Sequence, residues 1–186
     1  MTIQFEGWPK TTRFKDVVYT EKIDGTNAAI VIDIDGDEFG AQSRKRMITP
    51  DNDNYGFAGW AYKNQIELSD LFGHGRFFGE WWGKGINRGY GIDDRRFSVF
   101  NTGRWAADTG SMDPIEIGGV LVGPVPVLDV HTLDFDLIDH LMQDLRDDGS
   151  KAAPGFMKPE GLCVYDTQAG HVKKVTFEFS NGKWDK

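Results

Sequence analysis

The sequence has almost no cysteine and no long apolar run, and both absences narrow the range of functions. Its 186 residues include one cysteine, Cys163, which excludes an internal disulfide framework and any metal site built from several thiolates. The longest apolar stretch, residues 120–128, is short and interrupted by two prolines, and the first residues lack the basic stretch and apolar core of an export signal. We therefore expect a protein of a reducing cytoplasm that is neither exported nor membrane-spanning.

A positive net charge is also missing. The formal charge is −8 at pH 7, which is the wrong sign for a protein that holds nucleic acid by bulk electrostatics alone. Two short basic stretches are candidates for a local patch, SRKR at 43–46 and RR at 95–96. Solvated loop ends are the alternative interpretation of both stretches, so charge alone does not identify a partner.

Alternating apolar and polar residues dominate the chain and predict a fold made mainly of β-sheet. The hydrophobic and aromatic fractions, 39% and 13%, indicate a packed globule, and no linker divides residues 1–186, so we expect one domain. Asp35 and Gly36 predict a hairpin turn, and residues 55–72 and 133–147 have helical spacing. The predicted strands are 17–22, 27–34, 37–42, 75–82, 97–102, 120–129, 161–166 and 172–179.

Lysine chemistry is the reactive chemistry that the sequence leaves open. The four histidines are scattered without metal-binding spacing, no phosphate loop of the Walker type occurs, and Cys163 lies in an apolar strand. Lys22 ends an apolar strand and precedes the turn DGTN, where Gly25 lets the backbone approach a phosphate or ribose closely and Asn27 offers a donor and an acceptor. A lysine is nucleophilic only when its amine is neutral. The alternative is a snorkelling lysine before a tight turn.

The segment EKIDGTN at 21–27 resembles the Lys-x-(Asp/His)-Gly attachment motif of the covalent nucleotidyltransferases, which include ATP-dependent DNA and RNA ligases and mRNA capping enzymes. Further segments resemble the other motifs of this superfamily, in the same order along the chain. The combination of EKIDGTN with FGEWWGKGI is most similar to phage-type RNA ligases of the nick-sealing branch. The further segments are SRKR at 43–46, GRFFGEWWGKGI at 75–86, FSVFNTGRW at 97–105, PEGLCVY at 159–165 and HVKKVTF at 171–177.

The resemblance implies an α+β fold of two mostly antiparallel β-sheets flanked by helices, with nucleotide bound between the sheets. It implies an ATP-dependent RNA ligase that joins a 3′-hydroxyl to a 5′-phosphate in nicked duplex or broken RNA, in a cytoplasm that includes that of a phage-infected host. Lys22 would carry AMP, and Glu160 would assist Mg²⁺ or Mn²⁺. The alternatives are a capping-type guanylyltransferase that uses GTP and a module of the same fold that binds nucleotide without turnover.

The same resemblance implies which residues bind the nucleotide. Glu21 and Phe100 would contact adenine. Glu80 and Arg44 would bind the ribose and phosphate region, and Asn27 would position the nucleotide or the RNA end. Each of these residues also has a structural alternative, such as a strand-end acid for Glu80 and a core aromatic for Phe100.

The chain departs from the superfamily pattern in two places. The last motif usually reads Lys-x-Lys, but Val172 stands two positions before Lys174, and Lys173 is its neighbour. Side chains alternate along a strand, so one of these lysines faces the α-phosphate, and we expect it to be Lys174, with Lys173 outward or on the RNA side. The second departure is length: we expect residues 1–186 to be a catalytic domain without an appended OB-fold or C-terminal domain.

Overall fold

The computed structural model describes residues 3–11, 13–33 and 38–177. Within these ranges the chain forms two β-sheets and four α-helices. The strands are β1 (Val17–Lys22), β2 (Thr26–Ile32), β3 (Phe39–Ser43), β4 (Met47–Ile48), β5 (Gly75–Gly83), β6 (Arg95–Val99), β7 (Ile115–Ile117), β8 (Val120–Pro124), β9 (Val127–His131), β10 (Gly161–Asp166) and β11 (His171–Thr176). The helices are α1 (Phe57–Lys63), α2 (Gln65–Phe72), α3 (Thr102–Thr109) and α4 (Phe135–Asp148).

The strands divide into a four-stranded and a seven-stranded sheet. The order in the smaller sheet is β11-β10-β1-β9, and the order in the larger sheet is β4-β3-β2-β5-β6-β8-β7. Neighbouring strands are antiparallel except for β6 and β8, which are parallel. The chain crosses to the larger sheet between β1 and β2 and returns between β8 and β9. The predicted α+β fold of two mostly antiparallel sheets is confirmed.

Apolar side chains form one large cluster for each sheet and a small one between them. The larger sheet packs against α1 and α2 around the buried rings of Phe57, Trp81 and Phe97. The smaller sheet packs against α4, with Tyr19 and Leu145 fully buried. The small cluster contains Ile23, Trp82, Tyr90, Val125 and Ala153.

The helix predictions are confirmed in outline. Residues 55–72 form two helices because Asn64, with a non-helical φ of −113°, separates α1 from α2. The side chain of Asn64 is buried and donates to the Trp60 carbonyl over 2.7 Å, which accounts for a polar residue at this bend. Residues 133–147 correspond to α4, and the carboxylate of Asp134 caps its first turn.

Two strand predictions are wrong in part. Residues 120–129 are two strands in different sheets, because Pro126 has no N–H to continue the ladder and the chain turns there toward the smaller sheet. Strand β6 ends at Val99, and residues beyond it start helix α3, whose first turn is capped by Asn101. The Asn101 side chain accepts a hydrogen bond from the backbone N–H of Arg104 over 3.0 Å. This helix has no counterpart among the sequence predictions.

The predicted hairpin turn at Asp35 and Gly36 lies outside the described residues, as do the last two positions of the predicted strand 172–179. The strands on either side of that turn pair antiparallel, with Ile32 opposite Phe39. Across the ranges that the structure describes, none of the helices combines the length and the apolar character needed to cross a membrane.

Candidate active site

Lys22 lies where the chain crosses from the smaller sheet to the larger one. It is the last residue of β1, and β2 begins four positions later at Thr26. The turn between them requires glycine, because a Cβ on Gly25 would collide with the carbonyl oxygen of Trp81 and with the side chain of Trp82. The close approach of this turn to β5 fixes the end of β1, and with it the position of the Lys22 amine.

The amine of Lys22 forms an ion pair with Glu160. The distance between Nζ and Oε2 is 2.7 Å, and the two side chains are 22% and 14% exposed. The pairing of β1 with β10 produces this contact, since Lys22 lies opposite Gly161, the residue that follows Glu160. The sequence predicted both residues for the site, 138 positions apart, and the structure brings them together.

Glu80 lies on the other side of the same turn. It projects from β5 opposite Asn27 of β2, and its carboxylate accepts hydrogen bonds from the Gly25 backbone N–H and from Asn27 Nδ2, both over 3.0 Å. Burial raises the pKa of Glu80 to about 7, although the hydrogen bond from Gly25 and the charge of Lys22 act in the opposite direction. The turn that follows Lys22 is thus held by a carboxylate that burial pushes toward its neutral form.

A loop that the sequence analysis did not single out holds the turn through Asp24. The hydroxyl of Tyr90 accepts a hydrogen bond from the Asp24 backbone N–H over 2.7 Å. The Asp24 carboxylate accepts from Asn87 Nδ2 and from Arg88 Nε, each over 2.9 Å. Asn87 and Tyr90 both adopt positive φ angles, which are uncommon for residues with side chains. The backbone of this loop therefore adopts an uncommon left-handed conformation at the two residues that contact the turn, Asn87 and Tyr90.

Glu21 points away from Lys22, as strand alternation requires. Its side chain is 1% exposed, and its two oxygens accept hydrogen bonds from Ser150 Oγ and from the backbone N–H groups of Lys151 and Ala152, at 2.6 to 2.8 Å. Burial raises the pKa of Glu21 despite these three donors. The carboxylate fixes the loop between α4 and β10, and a contact between Glu21 and adenine stays a prediction.

A cleft of about 1380 Å³ opens between the two sheets. Small-molecule sites usually measure roughly 300 to 1,000 Å³, so the cleft has room for a mononucleotide and for part of a larger molecule. Phe100 is 44% exposed, which leaves its ring accessible for stacking, and helix α3 forms part of the wall through Thr102 and Ala106. The predicted site residues in the lining are Glu21, Lys22, Asn27, Arg44, Glu80, Phe100 and Lys174.

The two adjacent lysines lie on opposite faces of strand β11. Lys174 lies opposite Cys163, and both residues line the cleft. Lys173 lies opposite Val164, which belongs to the cluster beneath α4, and Lys173 is not part of the lining. The position of Lys174 agrees with the predicted orientation, while the roles of both lysines stay predictions. Burial raises the pKa of the Cys163 thiol to about 11, which makes this residue a poor nucleophile at neutral pH.

The two basic stretches differ in their surroundings. Residues 44–46 are exposed. Arg95 and Arg96 instead hold neighbouring loops: Arg95 Nη1 donates to the Tyr55 carbonyl over 2.5 Å, and Arg96 Nη1 donates to the Ala152 carbonyl over 3.0 Å. These two arginines are therefore not simply solvated loop ends, and their part in a basic patch stays a prediction.

A divalent ion would have few protein ligands here. Among the described residues, no three or more His, Cys, Asp and Glu side chains are grouped so that they could hold a metal ion. Glu160 is the carboxylate nearest to the Lys22 amine, and it is 14% exposed. Mg²⁺ is often bound through one or two carboxylates, waters and substrate phosphates rather than by a protein cage. The residues present therefore fit an ion that arrives with a nucleotide.

A sequence model of a family described as RNA ligase matches residues 15–177. A search of curated proteins finds no match. All eleven strands and all four helices described above fall within the matched residues.

Solved structures with the same fold include those of an RNA ligase from Naegleria gruberi. An alanine mutant with ATP and Mn superposes with a TM-score of 0.62 and 18% identity, over 88% of this chain and 49% of that one. The same RNA ligase with PPi gives a TM-score of 0.61 at 18% identity, over 94% of this chain and 53% of that one. The chain thus spans about half the length of these solved ligases. At this identity the likeness shows the fold alone.

Proposed function

The chain belongs to the RNA ligase family, and we propose that it is an ATP-dependent ligase that joins the 3′-hydroxyl and 5′-phosphate ends of RNA through an adenylate on Lys22. The observation that carries this proposal is the Lys22–Glu160 pair, 2.7 Å apart, beside a cleft that is large enough for a nucleotide. The Naegleria RNA ligase was solved with ATP and with AMP, in both cases with Mn, which supports an adenine nucleotide and a divalent ion for this chain as well. A single cysteine suits action in a reducing cytoplasm.

In the first step, Lys22 Nζ attacks the α-phosphorus of ATP. A nitrogen–phosphorus bond forms, the bond between the α-phosphorus and the bridging oxygen breaks, and pyrophosphate leaves with the electron pair. The amine must lose a proton to attack. Glu160 Oε2, at 2.7 Å, is close enough to accept that proton.

A divalent ion at Glu160, bound together with the phosphates of ATP, would screen the negative charge that develops on the transferred phosphoryl group. Glu160 is the residue that would hold it. The protein provides the remaining charge balance at the α-phosphate through Lys174, on the face of β11 that lines the cleft.

The nucleotide is held by residues from both sheets. Phe100 stacks on the adenine, as its partial exposure allows. Glu80 accepts a hydrogen bond from a ribose hydroxyl, and Arg44 contacts the ribose and phosphate region from the exposed end of β3. Asn27, already hydrogen-bonded to Glu80, orients that carboxylate toward the sugar.

The later steps use the stored adenylate. The 5′-phosphate of one RNA end attacks the phosphorus on Lys22, so that a phosphoanhydride bond forms and the lysine amine is released. The 3′-hydroxyl of the other end then attacks the activated 5′-phosphorus, the phosphodiester forms, and AMP leaves. Both steps are displacements at phosphorus, so the same positioning and charge neutralisation serve all three.

Incubation with labelled ATP or labelled GTP tests the proposal. We expect label from ATP on the wild-type protein, stable in alkali and released by acid or by hydroxylamine, as a nitrogen–phosphorus bond requires, and none on Lys22→Ala or Lys22→Arg. Arginine keeps the charge but does not become a neutral amine. Lys63→Ala, an exposed lysine on α1, is the matched control and should be labelled as the wild type is.

Peptide mass spectrometry then identifies the labelled residue, and nicked RNA added to the labelled protein tests sealing. AMP on a residue other than Lys22 would contradict the assignment of the nucleophile. Labelling by GTP in preference to ATP would make the protein a guanylyltransferase, and binding of ATP without any covalent product would make it a nucleotide-binding module.

A further inference from the structure

The N-terminal arm, defined as residues 3–14 and described at every position except 12, carries large apolar side chains that pack against nothing. Ile3, Phe5, Trp8 and Phe14 are 91 to 98% exposed, and every described residue of the arm is exposed and outside helix and strand. Isolated apolar side chains on a surface are ordinary, but a concentration of this kind marks an interaction site.

The charge of the arm is opposite to that of the rest of the protein. The first fifteen residues contain three basic side chains, Lys10, Arg13 and Lys15, and one acidic side chain, Glu6. Residues 1–15 therefore carry a net charge of +2, and the remaining residues must carry −10 to give the total of −8. Aromatic rings interspersed with cations are what proteins use to bind single-stranded nucleic acid, through base stacking and phosphate contacts.

The arm leaves the folded body at the rim of the cleft. The amide of Gln168 binds it on both sides: its Oε1 accepts from the Lys15 backbone N–H, and its Nε2 donates to the Arg13 carbonyl, each over 3.0 Å. Thr167, which lines the cleft, donates from its hydroxyl to the Asp16 carbonyl over 2.8 Å. The ten residues of the arm that precede Arg13 span roughly 30 Å when extended. The arm is therefore long enough to lie along an RNA strand that extends out of the cleft.

We propose that this arm is a binding surface for single-stranded RNA, which it holds next to the cleft by stacking Trp8 and Phe5 on bases and by contacting phosphates with Lys10, Arg13 and Lys15. The proposal rests on the function proposed above, because it assumes that an RNA end occupies the cleft. The acidic remainder of the protein repels a polyanion. A basic segment anchored at the cleft would attract the RNA and hold it there. The exposed rings provide contacts that salt does not screen.

The experiment measures the affinity of pre-adenylylated protein for a fluorescent 12-nucleotide single-stranded RNA with a 5′-hydroxyl, which cannot accept AMP. Trp8→Ala should weaken binding at least fivefold, since stacking on one base is worth about 1 kcal/mol or more, whereas Trp8→Phe should retain most of the affinity. Phe135→Ala, which removes a ring that is 75% exposed at the start of α4, is the matched control and should bind as the wild type does.

A second variant tests the charges. The triple substitution Lys10→Gln, Arg13→Gln and Lys15→Gln should make the slope of log affinity against log salt less negative by about 2. Each phosphate contact on a single strand contributes roughly −0.7 to that slope. Self-adenylylation with ATP alone should be unchanged in every arm variant. Failure of the wild type to label itself with ATP would refute the proposed function. The same RNA titration is therefore repeated with protein that carries no AMP, so that the contribution of the arm is measured independently and the two failures are distinguishable.

Three outcomes would overturn the proposal. RNA affinity and salt slope equal to those of the wild type in both the Trp8 and the triple variants would show that the arm does not contact RNA. A raised ATP requirement with unchanged RNA affinity would show that the arm closes over the nucleotide instead. A change in oligomeric state by light scattering, again with unchanged RNA affinity, would show that the arm binds a second copy of the chain.

Discussion

Glu80→Gln is expected to stabilise the fold at neutral and basic pH while it removes a nucleotide contact. The carboxylate is 7% exposed, and burial raises its pKa to about 7 from 4.5. Glutamine has the same shape without the charge. Its carbonyl can still accept from the Gly25 N–H, and the Asn27 amide can rotate to accept from the new NH₂ group, so both hydrogen bonds survive.

The sign and size of the effect follow from proton linkage. Between pH 4.5 and 7 the folded protein keeps the Glu80 proton while the unfolded chain has lost it, so the wild type loses stability as pH rises. Each pH unit is worth about 1.4 kcal/mol, which over roughly 2.5 units gives about 3 kcal/mol. The Glu80→Gln variant should therefore match the wild type below pH 4.5 and exceed its stability by about 3 kcal/mol above pH 7. Glu21 is present in both proteins, so its contribution cancels in the difference.

Urea unfolding followed by tryptophan fluorescence at pH 5, 6, 7 and 8 measures this difference. Glu116→Gln, at an exposed position of β7, is the control and should show no pH-dependent difference from the wild type. If Glu80→Gln is less stable than the wild type at pH 8, or if the difference does not change with pH, the hydrogen bonds from Gly25 and Asn27 outweigh burial and the reasoning is refuted.

Three further predictions concern catalysis. Lys174→Ala should slow adenylylation far more than Lys173→Ala, because only Lys174 lines the cleft; equal losses in single-turnover labelling would show that strand position does not decide the role. Phe100→Ala should remove about 1–3 kcal/mol of stacking and raise the KM for ATP more than it lowers kcat; an unchanged KM with lower Tm would make the ring structural. Arg88→Ala should lower kcat roughly ten- to a hundredfold by releasing Asp24, with partial recovery in Arg88→Lys; equal kcat in the three proteins would reduce this ion pair to a surface contact.

Strand β1 could be predicted from sequence because it depends on local pattern, whereas the role of Lys22 comes from the resemblance to the nucleotidyltransferases and stays a prediction. Alternation over residues 17–22 predicts β1. Gly25 is expected to let the backbone approach a phosphate or ribose, and the contact that the structure shows is instead with Trp81 and Trp82 of β5. Strand alternation also contained the information that Glu21 and Lys22 face opposite ways. Helix α3 had a local signal as well, a capping Asn101 and a terminal Gly110, but it follows an aromatic strand without a break in composition, and the strand pattern concealed it.

The loop that holds Asp24 had no such signal. Asn87, Arg88 and Tyr90 contact a turn more than 60 positions earlier in the chain. Their positions depend on the pairing of β2 with β5, which brings two distant segments side by side. Nothing in the spacing of these residues encodes that pairing, because a strand pattern predicts which face a residue occupies but not which strand will be its neighbour. Contacts of this kind can be identified only once the three-dimensional structure is known.

The location of Lys22 follows from the way in which the two sheets are connected. All strands of the larger sheet are consecutive in the chain, so the chain crosses between the sheets twice, after Lys22 and after Pro124. The two crossings are hydrogen-bonded to each other, since the Glu21 N–H donates to the Pro126 carbonyl over 2.9 Å. A side chain at the end of β1 is therefore held by both sheets at once. Glu160 reaches it from the smaller sheet, while Glu80 holds its turn from the larger sheet. A change in the angle between the sheets would alter both contacts together, so the rigidity of the connection and the geometry of the site depend on the same few residues.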